Sequence, residues 1–161
     1  MTDAVGMTRD VAAAYQSGGW NNALAWVLEY FAADSGTIHR LETDGILHLV
    51  AASAGIPSVV LDTVREVPVG KGMAGLAVER RQPVNACNIQ SDTSGDVRPG
   101  AKATGLQGSI VVPLLRDGRA VGALGIANHR ERVFTDAEIE LLMAVAQSLA
   151  TACHGPSGPP R

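Results

Sequence analysis

The sequence predicts an α/β (α+β) domain with a central, mainly antiparallel sheet of about six strands and helices on both faces. Two Asp-Gly pairs, at 44–45 and 117–118, each lie between runs of strand-forming residues. Asp-Gly is typical of tight turns between antiparallel strands, because the central residues of such turns need a positive φ. Helical apolar patterns near both ends supply the helices, and 161 residues suffice for one domain with a hydrophobic core.

Composition indicates an ordinary globular protein. Apolar residues make up 46% and charged residues 18% of the chain, which excludes disorder for most of it. The net charge of −3 argues against a nucleic-acid partner, which would need clustered Lys and Arg. No apolar run approaches the roughly 18 residues of a membrane span, and the N-terminus lacks a secretory signal pattern. Two cysteines, Cys87 and Cys153, favour a reduced, cytoplasmic protein over a disulfide framework.

The chain begins with two predicted helices. The first runs from Thr8 to Gln16 and belongs to a helical extension, residues 1–19, that precedes a main domain of residues 20–154. The second helix begins at Asn21 or Asn22, whose side chains can cap free backbone N–H groups. One face of that helix is apolar through four residues at helical spacing: Leu24, Val27, Leu28 and Phe31.

A second apolar face on the same helix comes from Trp26 and Tyr30. A helix that is apolar on two faces is expected to be buried on both sides. One side would meet the sheet, and the other would meet a partner helix or a partner subunit.

A β-hairpin is predicted around Asp44-Gly45, with strands over 37–42 and 46–52. A type I′ turn would place Leu41 opposite His48 and Arg40 opposite Leu49. His39 and His48 would then share one face as diagonal neighbours. Exposure to solvent is the prediction for both, and a metal site is the weaker alternative because no third ligand is evident.

A glycine-rich segment, Gly70-Lys71-Gly72-Met73-Ala74-Gly75, follows a predicted strand over 65–69 and opens a short helix to about Arg80. Pro68 suggests that the strand lies at a sheet edge, since proline cannot donate to the ladder. The segment matches G-x-G-x-x-G, and Asp92 lies about where a ribose-binding acid would fall. A dinucleotide fold needs further parallel βαβ units, whereas an antiparallel hairpin follows, so this remains a minor alternative.

The second half of the chain contains a long polar segment and a second hairpin. A short strand over 83–87 leads into residues 88–108, which are polar and glycine-rich, and such segments tend to be functional or mobile. Strands over 109–115 and 119–127 follow. Thr135 and Glu138 then predict a capping box at the start of the last helix, and residues 155–161 are predicted to be a disordered tail.

The order of these features resembles the GAF domain family of small-molecule-sensing and signalling modules. The resemblance is carried by Gly72-Met73-Ala74-Gly75, by Arg81-Gln82-Pro83-Val84, by the hairpin at Asp117-Gly118, and by Phe134-Thr135-x-x-Glu138. It implies a ligand pocket floored by Ser109 and Val111 and covered by residues 88–108. The candidate ligand-binding residues are Met73, Ala74, Cys87, Asn88, Asp92, Arg98, Gln107, Ser109 and Val111.

The sequence departs from three specialised branches of that family. The free methionine-R-sulfoxide reductases have a cysteine where this chain has Ala74 and another in the loop spanning 88–108, which here contains none. Reductase chemistry needs both thiols. The cyclic-nucleotide signature would place lysine at His129. The sequence support for bilin attachment is weaker than that for cyclic-nucleotide binding, since no cysteine-histidine dipeptide marks a chromophore site. Small-anion binding at Lys71-Gly72-Met73-Ala74, with Trp26 as a wall, is a further possibility.

The leading hypothesis is therefore a non-catalytic sensor or signalling domain that binds a small molecule or anion between the sheet and the 88–108 segment. It would signal through the terminal helices, with a homodimer formed by those helices and a signalling protein as expected partners. No cofactor, metal, nucleic acid or membrane is expected. The alternative is a ligand-free dimerisation or interaction module, and a redox enzyme of the methionine sulfoxide reductase type is disfavoured.

Overall fold

A computed structural model describes residues 4–86, 88–90 and 105–153 of the chain. In this part of the chain, one six-stranded sheet lies between helices on its two faces. The helices are α1 (Ala4–Tyr30), α2 (Ser58–Val64), α3 (Gly72–Arg80) and α4 (Asp136–Ala152). The strands are β1 (Ser35–Leu41), β2 (Ile46–Ala52), β3 (Glu66–Pro68), β4 (Val84–Ala86), β5 (Ser109–Arg116) and β6 (Arg119–Ala127).

The sheet has the order β3-β2-β1-β6-β5-β4, and every neighbouring pair is antiparallel. This confirms the predicted α+β architecture. Pro68 lies on the edge strand β3, as the missing proline N–H requires. Because none of the strand pairs in the described part of the chain is parallel, the dinucleotide interpretation of the glycine-rich segment has no structural support.

The hydrophobic core has two parts, one on each face of the sheet. On one face, α1 and α4 pack against strand residues such as Ile38, Ile110 and Val112. On the other face, α3 packs against residues such as Val111 and Ala123. Successive side chains of a strand point to opposite faces, so β1, β5 and β6 each contribute to both parts.

The two predicted N-terminal helices are both present within α1 and are separated by a kink at Gly19, whose backbone is not helical (φ 78°, ψ −159°). Glycine reaches this conformation without a steric penalty, so the chain turns there and continues as helix. Met7 and Val11, from the predicted extension, are buried in the same core as the sheet and α4. The Ser148 hydroxyl of α4 also donates to the Thr8 carbonyl (2.7 Å).

The first hairpin differs from its prediction in both turn and register. A type I′ turn needs a positive φ at both Asp44 and Gly45, but of these two residues only Gly45 has one. The Gly45 N–H donates to the Glu42 carbonyl (3.0 Å), so the loop is longer than a type I′ turn. Arg40 therefore pairs with His48, and His39 pairs with Leu49. Since paired residues share a face, His39 and His48 point to opposite faces. The prediction of a shared, solvent-facing histidine pair was wrong, because His39 is only 3% exposed.

The three glycines of the glycine-rich segment have structural roles. Gly70 and Gly72 have positive φ values of 90° and 65°, which favour glycine. A Cβ on Gly75 would lie 2.4 Å from the Pro68 carbonyl oxygen. These glycines hold the start of α3 against the end of β3, which fixes where the N-terminus of α3 points.

None of the helices in the described ranges is both long and apolar enough to cross a membrane.

We expect Gly75→Ala to lower the free energy of unfolding by about 1–3 kcal/mol, because the new methyl group meets backbone that cannot move aside. Urea denaturation of the variant and the wild-type protein measures the difference. Glu79→Ala, at an exposed position of the same helix, is the control and should stay within about 0.5 kcal/mol. Equal stability of Gly75→Ala and wild type would contradict the close contact between α3 and β3.

Candidate functional site

Two adjoining cavities lie on the α3 face of the sheet. The first has a volume of about 160 Å³ and is bordered by β1, the end of α2 and the start of α3. The second has a volume of about 130 Å³ and lies under α2, with Ile89 and Leu106 on its other side. Thr37, Val64, Ser109 and Val111 line both cavities.

Strand pairing at the centre of the sheet builds the floor of the cavities. Gly125 of β6 pairs with Thr37 on one side and with Val111 on the other. A Cβ on Gly125 would lie 3.2 Å from a methyl group of Val111 and 3.7 Å from the Thr37 hydroxyl. Because Gly125 has no side chain, the space between Thr37 and Val111 at the floor of the cavities stays open.

The N-terminus of α3 opens into the first cavity. Lys71, Gly72, Met73 and Ala74 all line it. Lys71 is the N-cap residue and provides no side-chain cap. The N–H groups of residues 72–74 have no acceptor within the described ranges, whereas the Gly75 N–H donates to the Lys71 carbonyl (3.1 Å). Free N–H groups and the helix dipole together make such a terminus attractive to anions.

His39 forms part of the wall of the same cavity. Its Nε2 lies 2.8 Å from the carbonyl oxygen of Val64, the last residue of α2. A carbonyl can only accept, so Nε2 carries the hydrogen and donates it, and Nδ1 of the neutral ring is then an acceptor. Nδ1 has no hydrogen-bond partner in the described part of the chain. Every fully buried side-chain nitrogen of the described residues has a partner, so an unpartnered Nδ1 must be accessible. Nδ1 therefore faces the open space of the cavity that the His39 side chain lines.

The environment of His39 favours the neutral ring. Burial lowers the pKa of His39 below its ordinary value, and the positive charge of His48 lowers it further. The hydrogen bond to Val64 opposes these effects without overcoming them. A buried, neutral imidazole with one free acceptor nitrogen can bind a ligand that brings a hydrogen, or can take up a proton when an anion arrives.

Four of the nine candidate ligand-binding residues line the cavities: Met73, Ala74, Ser109 and Val111. The described cavity linings do not include Asn88 or Gln107. Asn88 donates to Glu131 (2.7 Å), and the Gln107 N–H donates to the Asn128 carbonyl (2.7 Å). Three candidates lie outside the described residues, and these are Cys87, Asp92 and Arg98. Trp26, the predicted wall of an anion site, lies instead on the opposite face of the sheet, in the α1 layer.

Sequence reasoning missed the contributions of β1 and α2. Thr37 and His39 alternate with the buried Ile38, so a strand that contributes to two layers would have placed both on the cavity face. For His39, the predicted hairpin register was one residue away from the observed one and placed it on the same face as the exposed His48. Val60 and Val64 carried no such signal, because a seven-residue helix has too little periodicity to reveal which face it buries.

The segment compared with the cyclic-nucleotide signature forms a structural network in this chain. The Asn128 side chain is buried, donates to the Ala32 carbonyl (2.9 Å) and accepts from Arg132 (2.8 Å). Arg132 also forms an ion pair with Glu138 (3.0 Å), the residue of the capping box with Thr135. These contacts fasten the β6–α4 connection to the end of α1.

Thiol and metal chemistry find little support among the described residues. Cys153 is buried in the α1–α4 layer, where burial raises the pKa of its thiol and disfavours the reactive thiolate. Within the described ranges, no three histidine, cysteine or acidic side chains gather where they could hold a metal ion. Cys87 lies outside those ranges.

We expect the pH dependence of stability to reveal His39. A lowered pKa in the folded state means that its neutral form stabilises the fold above the unfolded-state pKa of about 6.5, and that this contribution is lost as the pH falls towards the folded-state value. His39→Gln keeps an N–H donor for Val64 but does not titrate. Urea denaturation at about pH 7.5 and pH 5.5 should therefore show a smaller loss of stability for the variant than for the wild type.

His48 provides the matched control for this experiment. Its pKa is raised by the hydrogen bond to Asp44 (2.9 Å), so its contribution has the opposite sign and is lost as the pH rises. His48→Gln should therefore leave the loss of stability at low pH in place. A His39→Gln variant with the full wild-type loss would refute the buried neutral state of His39.

Asn128→Ala is expected to reduce the free energy of unfolding by about 1–3 kcal/mol, because Arg132 and the Ala32 carbonyl lose a buried partner. Thermal or urea unfolding measures the effect. His129→Ala, next in the chain with an exposed side chain, should change stability by less than about 0.5 kcal/mol. An unchanged Asn128→Ala protein would show that the network does not hold the β6–α4 connection.

Comparison with known proteins places this geometry in context. The family model of the GAF domain matches residues 21–154, which is most of the chain. No curated protein sequence matches the chain.

Solved structures of other proteins have a similar fold. The GAF domain of an Acinetobacter phosphoenolpyruvate-protein phosphotransferase has a TM-score of 0.75 at 18% identity, covering 94% of this chain and 93% of its own. Free methionine-R-sulfoxide reductase from Neisseria meningitidis, solved with its substrate, has a TM-score of 0.71 at 20% identity, with coverages of 94% and 91%. A domain described as part of a two-component sensor histidine kinase from Sinorhizobium meliloti has a TM-score of 0.64 at 19% identity, with coverages of 80% and 84%. At these identities the likeness concerns the fold alone.

Proposed function

The chain belongs to the GAF domain family, and from this membership we propose that it is a non-catalytic sensor domain that binds a small molecule in the two cavities above the sheet. The observation that carries the proposal is the convergence of unsatisfied polar groups on the first cavity. The free N–H groups of α3 approach it from one side, and Nδ1 of His39 approaches it from the other. A cavity with few polar groups and apolar walls is typical of a small-molecule site.

The proposed signal passes through the central strands to the terminal helices. Thr37 and Val111 line the cavities, while their chain neighbours Ile38 and Ile110 are buried against α1 and α4. A ligand that shifts β1 or β5 would therefore also shift the surface on which these helices rest. The terminal helices are the elements through which a partner protein would sense occupancy.

The non-catalytic part of the proposal rests on missing thiols. Ala74 stands where a reductase of this family would have a cysteine, and residues 88–108 contain none. Ala74 lines the first cavity, so a sulfoxide held there would meet a methyl group in place of a nucleophile. The similarity to methionine-R-sulfoxide reductases is accordingly taken as similarity of fold. The low cysteine content makes the cytoplasm the proposed location.

We predict that Val64→Phe abolishes ligand binding, because Val64 lines both cavities and the larger ring would fill the space between them. Native mass spectrometry of the purified protein measures the effect. The wild-type protein should carry an added small mass that is lost under denaturing conditions, and the variant should not.

Val59→Phe is the matched control, since it makes the same change on the same helix at a position that is 69% exposed. It should retain the added mass. A wild-type protein that has no added mass, and that gains no thermal stability from a library of small anions and neutral metabolites, would contradict the sensor proposal.

A ligand-free dimerisation module is the second candidate function. It is favoured by Trp26 and Tyr30 on α1, whose rings stack at 5.1 Å yet remain half-exposed. A groove of about 620 Å³ between α1 and α4, lined by small and polar residues such as Ala12 and Ala144, adds a second contact surface. The same mass spectra report the oligomeric state, and a strictly monomeric protein would eliminate this candidate.

A further inference from the structure

We propose that His39 couples ligand binding to the uptake of one proton, and thereby selects a small monocarboxylate with a short apolar group over its neutral analogues. This inference rests on the proposed sensor function and adds the chemical class of its ligand. It depends on three features of the structure: the division of the site into two compartments, the free acceptor nitrogen of His39, and the charges around it.

The two cavities differ in chemistry although they share walls. The first contains the free N–H groups at the start of α3, Nδ1 of His39, and Lys71 at its rim. The second is walled by aliphatic side chains, among them Val60, Ile89 and Leu106. A carboxylate fits the first compartment because three N–H groups and the helix dipole favour negative charge. A short hydrocarbon group fits the second.

Neutral His39 would oppose a carboxylate. Because its Nε2–H is used by the Val64 carbonyl, Nδ1 presents a lone pair to the site, and a lone pair repels an anionic oxygen. A proton from solvent removes this conflict by forming an Nδ1–H bond that donates to the carboxylate. No other bond is made or broken, and Nε2 continues to donate to Val64. The imidazolium then lies between two oxygen acceptors, and charge-assisted hydrogen bonds of this kind are strong.

The charged groups near His39 leave the ligand as its main electrostatic partner. On β2, His48 points to the opposite face and its positive charge disfavours protonation. After α2, Arg65 pairs with Asp62 (2.7 Å), and both are exposed. On β3, Glu66 is exposed and lies 3.8 Å from His48. At the start of α3, Lys71 is positive, and β6 places only Gly122 and Ala123 beside His39. No carboxylate of these elements forms an ion pair with His39.

Proton uptake predicts a specific pH dependence of binding. A bound anion raises the pKa of His39 above its lowered free-state value. Between the free-state and bound-state pKa values of His39, the association constant for the carboxylate should fall about tenfold for each unit by which the pH increases. Below the free-state value the ring is already protonated, so the affinity should level off.

Isothermal titration calorimetry with butyrate tests the proposal, with butyramide as the neutral analogue of the same shape. Titrations from about pH 5.5 to about pH 8 span the ordinary histidine pKa while butyrate stays ionised. We expect the affinity for butyrate to rise as the pH falls and butyramide to bind at least tenfold more weakly at low pH. Paired buffers of different ionisation enthalpy should report the uptake of close to one proton at pH values between the free-state and bound-state pKa of His39.

Two variants assign the effect to His39. His39→Gln keeps a donor for Val64 without a titrating group, so butyrate binding should become weak and independent of pH. His48→Gln removes the other histidine of this hairpin and should keep the pH dependence. An NMR titration of the imidazole signals should show the pKa of His39 rising when butyrate is added at saturation.

Three results would overturn the inference. These are butyrate binding that does not change with pH, equal affinity for butyramide, and no butyrate binding at about 20 mM and low pH, a concentration that detects a Kd of about 1 mM. The sensor function fails separately. A neutral molecule retained by wild type and lost in Val64→Phe would keep the sensor function and refute only the proton-linked carboxylate.

Discussion

The structure depends on the antiparallel pairing of β1 with β6 at the centre of the sheet. This pairing joins the strands of the first half of the chain, β3-β2-β1, to those of the second half, β6-β5-β4. It requires a bare backbone on β6, because a Cβ on Gly122 would lie 2.4 Å from the His39 carbonyl oxygen. Gly36 of β1 is constrained in the same way by the Gly125 carbonyl at 2.8 Å. The small residues of β6 thus serve strand contact first, and the space above Gly125 is a consequence.

Helical layers on both faces of this central pair give its side chains two different roles. Ile38, Ile110 and Val112 face α1 and α4 and are fully buried, so that layer works as an ordinary core. Side chains facing α2 and α3 include Thr37 and His39, beside space that no described side chain fills. A change at the cavity cannot move one face of a strand without the other. Strands β1 and β5 therefore connect the cavity wall directly to the surface on which α1 and α4 pack.

The sequence predicted the architecture because its signals were local. The Asp117-Gly118 pair gave the second hairpin, with positive φ at both residues, and Thr135 and Glu138 gave the capping box of α4. The first hairpin failed because Asp44 keeps a negative φ while its side chain accepts from the Ile46 N–H (3.0 Å). That one-residue difference in register places His39 and His48 on opposite faces of the sheet. Among the candidate ligand-binding residues, which followed from the family resemblance, those on β5 and at the start of α3 line the cavities: Met73, Ala74, Ser109 and Val111.

Membership of the GAF domain family does not by itself determine which chemical groups line the cavity of this protein. The fold places a cavity between the sheet and the start of α3, and the groups that line it in this chain include Ala74, the N–H groups at the start of α3, and the buried His39. His39 lines the cavity and also contacts the end of α2, through one rigid ring. A hydrogen bond to Nδ1 polarises the ring and strengthens the bond from Nε2 to Val64. Under the proposed function, occupancy of the cavity would hold α2 more firmly over the site.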